Sequence, residues 1–140
     1  MYVEAIIDQV EVNYWAVLAS GVGAMVLGAI WYNVFSKPWL KGVGLTEAKV
    51  RNGSNLVYLW SFLCMLVIAF VLAHVVSVFE ADTVEEGLMA GGWMWLGFAA
   101  TTTAINYMYQ LKSLKLFAID AGYILLVFLL SGAILANWPV

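Results

Sequence analysis

Asp120 stands inside an apolar run, "KLFAIDAGYILLVFLL", where a carboxylate needs a partner or a proton. Two chemistries fit it. In the structural one, the charge meets the positive end of a helix beginning near residue 116, and Lys112 or Lys115 reaches back to it. In the functional one, it is a proton or cation site facing the inner end of that helix. Asn33, Asn106 and Gln110 fall at a similar depth in two other runs, so a polar cluster of Asp120, Asn106 and Asn33 is expected. His74 is the one histidine and lies about one turn from the end of its run. Without a second ligand at helical spacing it makes a poor metal site. A hydrogen-bonded packing role, with Glu80 as partner, is the simpler reading. Thr101, Thr102 and Thr103 sit mid-run, where hydroxyls commonly bond their own helix carbonyls; a hydroxyl-lined pore is the alternative.

The remaining side chains assemble no reaction. The sequence has no paired-histidine zinc motif, no haem histidine pair and no serine–histidine–aspartate set at one depth. The "GVG" stretches at Gly21 and Gly42 follow no strand and are no nucleotide fingerprint. No catalytic residue, cofactor or metal ligand is assigned, and the chain does not read as an enzyme.

What positions these residues is a set of long apolar runs. Of 140 residues 64% are hydrophobic and 11% charged, far from the balance of a soluble domain. Mean hydropathy is +0.92. A helix crossing the hydrocarbon core needs about 20 apolar residues. Four runs qualify, at residues 13–34, 55–79, 87–109 and 116–138. They are continuous rather than alternating, which favours helices over barrel strands. The expectation is an all-α membrane protein, a bundle of four transmembrane helices in one domain, with Cys64 a small buried thiol inside the second run.

Charge sets the direction. Every Lys and Arg lies after the first run (Lys37, Lys41, Lys49, Arg51) or after the third (Lys112, Lys115). The other ends carry only acid: Glu4, Asp8 and Glu11, then Glu80, Asp82, Glu85 and Glu86. The positive-inside rule places loops 35–54 and 110–115 in the cytoplasm and both termini outside. The lipid bilayer is then the first partner. The basic residues answer orientation and anionic headgroups, and call for no nucleic acid. Trp31, Tyr32 and Trp39 read as headgroup anchors with Lys37 and Lys41 beyond them, and Pro38 as the stop of regular helix. Tyr14, Trp15 and Trp138 are their outer counterparts. The acidic start and the missing cleavage pattern argue against a signal peptide. Residues 1–12 read either as a short surface helix or as a frayed tail.

Ala16, Ser20, Ala24 and Gly28 recur at steps of four, a stripe that lets another backbone approach. It serves packing within the chain or an interface between copies. The third run is also rich in small residues, the second and fourth in bulky ones. Runs one and three are therefore expected to make the close contacts, with two and four turned more to lipid. The order repeats, suggesting two similar hairpins.

"NYWAVLASGVGAMVLGAIWYNVFSKPW" and "KLFAIDAGYILLVFLLSGAILANW" resemble the two ends of the domain-of-unknown-function 1761 family, small bacterial four-span membrane proteins. Trp31-Tyr32, Phe35-x-Lys37-x-Trp39, Trp95-Leu96-Gly97-Phe98 and Lys115-Leu116-Phe117…Gly122-Tyr123 carry the likeness. Ser36 stands where glycine is expected and Asp120 where asparagine is. The resemblance implies fold and a bacterial inner-membrane location, and transfers no site. The function it leaves in front is a structural, accessory or assembly subunit acting through helix contacts, as a homo-oligomer or within a larger membrane complex. The other reading is a homo-oligomeric channel or small transporter using Asp120 or His74.

Overall fold

The computed structural model describes residues 2–7, 10–138 and 140. Among them there is helix and no strand. In chain order the helices are α1 (Tyr2–Ile7), α2 (Tyr14–Val34), α3 (Ser36–Val43), α4 (Glu47–Arg51), α5 (Leu56–Val78), α6 (Val84–Met94), a π-helical turn (Trp95–Ala100), α7 (Thr101–Tyr109) and α8 (Leu114–Asn137). Three of them, α2, α5 and α8, are long and apolar enough to cross a membrane. The third run of the sequence is continuous helix over residues 84–109, but the π turn divides it. Asp8, counted above with the outer acids, lies outside the described residues, as do the side chains of Ile6 and Ile7.

Local chemistry sets the boundaries. Asn13 caps α2 by accepting from the N–H groups of Trp15 and Ala16 at 3.0 and 3.1 Å. Thr83 and Glu86 form a reciprocal capping box on α6, and Ser113 caps α8 from the N–H of Leu116. The loop after the first run is not irregular: α2 ends at Val34 and α3 starts at Ser36, with Phe35 alone between them. Pro38 therefore does not stop the helix. It sits in the first turn of α3, where a missing N–H leaves no bond unmade, and the break falls at Phe35 instead.

Helices α5 and α7 end in Schellman turns on non-glycine residues. Glu80 and Leu111 take φ of 52° and 56°. The N–H of Lys112 returns to the carbonyl of Tyr107, and that of Leu111 to Met108. Leu111 is 92% exposed, so its side chain contributes little packing there. A left-handed residue with a Cβ costs roughly 1–2 kcal/mol, of which glycine gives back part through backbone entropy. Leu111→Gly is thus expected to stabilise the chain by about 0.5–1 kcal/mol, read as a rise of a few degrees in a detergent melt. An unchanged or lower melting point would refute it.

The centre of the packing is α8. It touches α2, α3, α5, α6, the π turn and α7. Nine of its residues are buried, against five on α2 and four on α5. The expectation that the fourth run turns more to lipid is therefore corrected; the bulky face of the second run, α5, does stay exposed, at Leu59, Leu63, Val67 and Val71 among others. Cys64 of α5 is exposed as well, where a buried thiol was expected. The reason is a second small-residue row. Gly132 and Ala136 on α8 meet Gly87 and Gly91 on α6 so closely that a Cβ on Gly132 would stand 2.1 Å from the carbonyl oxygen of Gly87. The stripe on α2 packs within the chain. Ala16, Ser20 and Ala24 are buried, the first against Ala69, Leu72 and Ala73 of α5 and Leu135 and Ala136 of α8, the last against Tyr123 and Val127. Gly28 completes it: a Cβ there would meet the hydroxyl of Tyr123 at 2.8 Å.

Candidate functional site

Asp120 lies six residues beyond Leu114, ~9 Å along α8. That is the second turn, where the helix-end dipole has largely faded. What holds the carboxylate is a ring of neutral donors from three other segments. Tyr32 of α2 donates its hydroxyl to Oδ1 at 2.6 Å, and Trp39 of α3 donates its indole N–H to the same oxygen at 3.1 Å. Tyr107 of α7 donates its hydroxyl to Oδ2. Charge-assisted bonds of this kind are about twice as strong as neutral ones.

The backbone around Asp120 is gripped as well. Trp31 donates its indole N–H to the carbonyl of Ile119 at 2.9 Å, and Trp95 of the π turn donates to Ala121 at 2.9 Å. The ring of Trp31 lies against Gly122, where a Cβ would stand 3.2 Å from it. Tyr123 in turn donates to the carbonyl of Ala24 at 2.8 Å, binding α8 to the small-residue stripe of α2. Each of residues 119–123 thus makes at least one hydrogen bond or close contact with α2, α3, the π turn or α7. The rings also touch one another: Tyr32 meets Trp39 edge-on at 5.7 Å and Tyr123 at 5.2 Å.

Several expected partners are elsewhere. Neither Lys112 nor Lys115 pairs with Asp120; Lys112 sits over the ring of Tyr107, its Nζ 4.5 Å from the centroid, and reaches the carboxylate only through that ring. Asn33 and Asn106 are exposed and make no bond to Asp120, so the expected polar cluster does not form. Both side chains point off the face that their helices turn to α8. His74 does not meet Glu80. Its Nδ1 lies 2.8 Å from the carbonyl of Phe70, one turn back on its own helix, and its ring packs edge-on against Phe70. Two of the three threonines do what the simpler reading expects: Thr101 bonds Gly97, and Thr102 bonds Phe98 and Ala99.

Sequence reading missed Tyr32, Trp39 and Tyr107 as partners of Asp120. It gave Trp31, Tyr32 and Trp39 to the headgroup layer, because an amphipathic ring at a helix end suits either place. One signal was present. Tyr32 and Trp39 are seven residues apart, two helical turns, so they share a face if the helix resumes after a short break.

No group of three or more His, Cys, Asp or Glu that might hold a metal occurs among the described residues. Four of the side chains that grip residues 119–123, those of Trp31, Tyr32, Trp39 and Trp95, also carried the family resemblance; Tyr107 did not. A family profile described as a protein of unknown function (DUF1761) matches residues 15–136. The chain belongs to the DUF1761 family. The match takes in the whole Asp120 ring, from Tyr32 through Tyr107 to Asp120 itself. No curated protein and no solved structure matches the chain. For this DUF1761 member the arrangement can do one thing plainly: it ties three helices to the N-terminal part of α8.

Proposed function

We propose that this DUF1761 protein is a four-span protein of the bacterial cytoplasmic membrane, with both termini outside, and that it serves as a non-enzymatic structural or assembly subunit through its helix faces. The third span is the continuous helix of residues 84–109, whose π turn keeps its backbone bonds within the segment, as a bilayer requires. The orientation follows from the complete segregation of Lys and Arg.

One observation carries the functional reading. The intramembrane carboxylate is engaged on both oxygens by the chain's own hydroxyls and indole, so it works as a fastening. No buried side-chain nitrogen or oxygen among the described residues lacks a partner. Outside this belt the helices present apolar surface, which suits lipid and neighbouring helices.

Two measurements test it. In a Cys64→Ala background, a cysteine at position 84 is expected to react with an impermeant thiol reagent in intact cells and one at position 52 is not; the reverse would overturn the topology. Purification in mild detergent is expected to give a stable species, either a small homo-oligomer or a fixed-stoichiometry complex with a larger membrane assembly. A closed ring with Asp120 or His74 of every copy on its axis, carrying ion current in liposomes, would replace the assembly role with a channel.

A further inference from the structure

We infer that the π turn at Trp95–Ala100 is a register device: it keeps the glycine contact at one end of the third helix and the Asp120 clasp at the other on the same side of α8. The face that α6 and α7 turn to α8 is marked by Gly87, Gly91, Trp95, Ala100 and Tyr107. Gly87 and Gly91 press on the backbone at Gly132 and Phe128, Trp95 bonds Ala121, Ala100 is 7% exposed, and Tyr107 bonds Asp120. The first two intervals are four residues, as in any α-helix. The next is five.

The arithmetic of a regular helix forbids that face. At about 100° per residue, five residues place Ala100 about 140° away from Trp95, and twelve place Tyr107 about 120° away. A single π turn acts as one inserted residue. Counted that way, Ala100 falls about 40° from Trp95 and Tyr107 about 20° from it, both on the contact face. Without the π turn, Tyr107 leaves Asp120 or the glycines leave α8; the two contacts cannot coexist on one straight helix. The chain also supplies the chemistry that such a turn requires. The wider turn strains its carbonyls' helical bonds, and the hydroxyls of Thr101 and Thr102 bond the carbonyls of Gly97, Phe98 and Ala99, all inside it. The turn is free to have this shape because its outer side is empty: a Cβ on Gly97 would meet nothing within 4 Å, and Phe98 is 67% exposed.

A helix with one surplus residue responds asymmetrically to length changes, and that is the test. Deleting Phe98 lets the π turn relax to α-helix with Trp95 and Tyr107 still in phase. Inserting one alanine after Phe98 throws Tyr107 about 100° out. In an ordinary α-helix both changes rotate the far half by the same angle and do equal harm. The full chain is purified in detergent and melted, each variant with and without Tyr107→Phe. The deletion is expected to melt near the parent and to lose the same increment on Tyr107→Phe as the parent does. The insertion is expected to melt far lower, or not to fold, and if it folds Tyr107→Phe is expected to change nothing further. A deletion that is as damaging as the insertion, or fails to fold, overturns the inference. So does an insertion that melts like the parent, or a deletion variant in which the Tyr107→Phe increment has vanished.

Discussion

Gly132→Ala, the addition of one methyl group, is expected to destabilise the chain by about 2–3 kcal/mol, the upper part of the usual range for overpacking. The added Cβ would stand 2.1 Å from the carbonyl oxygen of Gly87 and 2.9 Å from its carbon. Those are backbone atoms, so no rotamer change relieves the clash; α6 and α8 must separate. Separation also loses the mirror contact, because the position a Cβ would take on Gly87 is 2.2 Å from the carbonyl of Gly132. In each glycine the hydrogen that replaces the Cβ faces the other's carbonyl, a weak bond that recurs where helices cross closely. The control is Gly97→Ala. It meets nothing within 4 Å and gains helix propensity, so it should be neutral or stabilising by up to about 1 kcal/mol. Melts of both variants in one detergent decide the matter. Equal melting points would show that α6 and α8 are not in backbone contact.

How much of this was legible in the sequence depends on what each residue had to reveal. The helices α2, α5 and α8 follow from run length and apolarity alone, and the stripe Ala16, Ser20, Ala24, Gly28 is visible because all four members are small. Gly132 and Ala136 obey the same spacing but sit between Leu, Ile and Phe, and a run that looks bulky on average hides a narrow row on one face. The Asp120 ring was half legible. A carboxylate in an apolar run demands donors, but which donors depends on where three other segments pass, and hydropathy does not say that. Asn33 and Asn106 had the right depth and the wrong azimuth; Tyr32 and Tyr107, one residue from each, had both. The π turn was not legible at all, since a five-residue interval appears only once the facing helix is known.

Asp120→Leu is expected to cost about 3 kcal/mol or more, and Asp120→Asn far less. Leucine removes the acceptor from three donors at once. Tyr32, Trp39 and Tyr107 would be left in surroundings with few other acceptors, and each donor stranded in that way costs roughly 1–3 kcal/mol. Trp39 has a further consequence. Its indole N–H is the hydrogen bond that fastens α3 to α8, so α3 should loosen while α2 and α8 stay helical. Asparagine can reproduce every partner. Tyr32 and Trp39 both donate to Oδ1, which remains an acceptor in the amide. Only Tyr107 donates to Oδ2, and a hydroxyl can accept as well as donate, so it turns to receive the new N–H. The ring therefore asks for an acceptor at one position and a hydrogen-bonding atom at the other, without asking for charge. This accounts for the asparagine that the family resemblance leads one to expect at this position. Two readouts separate the cases: the melting point, and protection of a cysteine at position 40 on α3 from a water-soluble reagent in the Cys64→Ala background. Asparagine should keep both near the parent, and leucine should lose both. If Asp120→Asn fell as far as leucine, the negative charge itself would be what the site holds, and a cation or proton path through Asp120 would displace the fastening role.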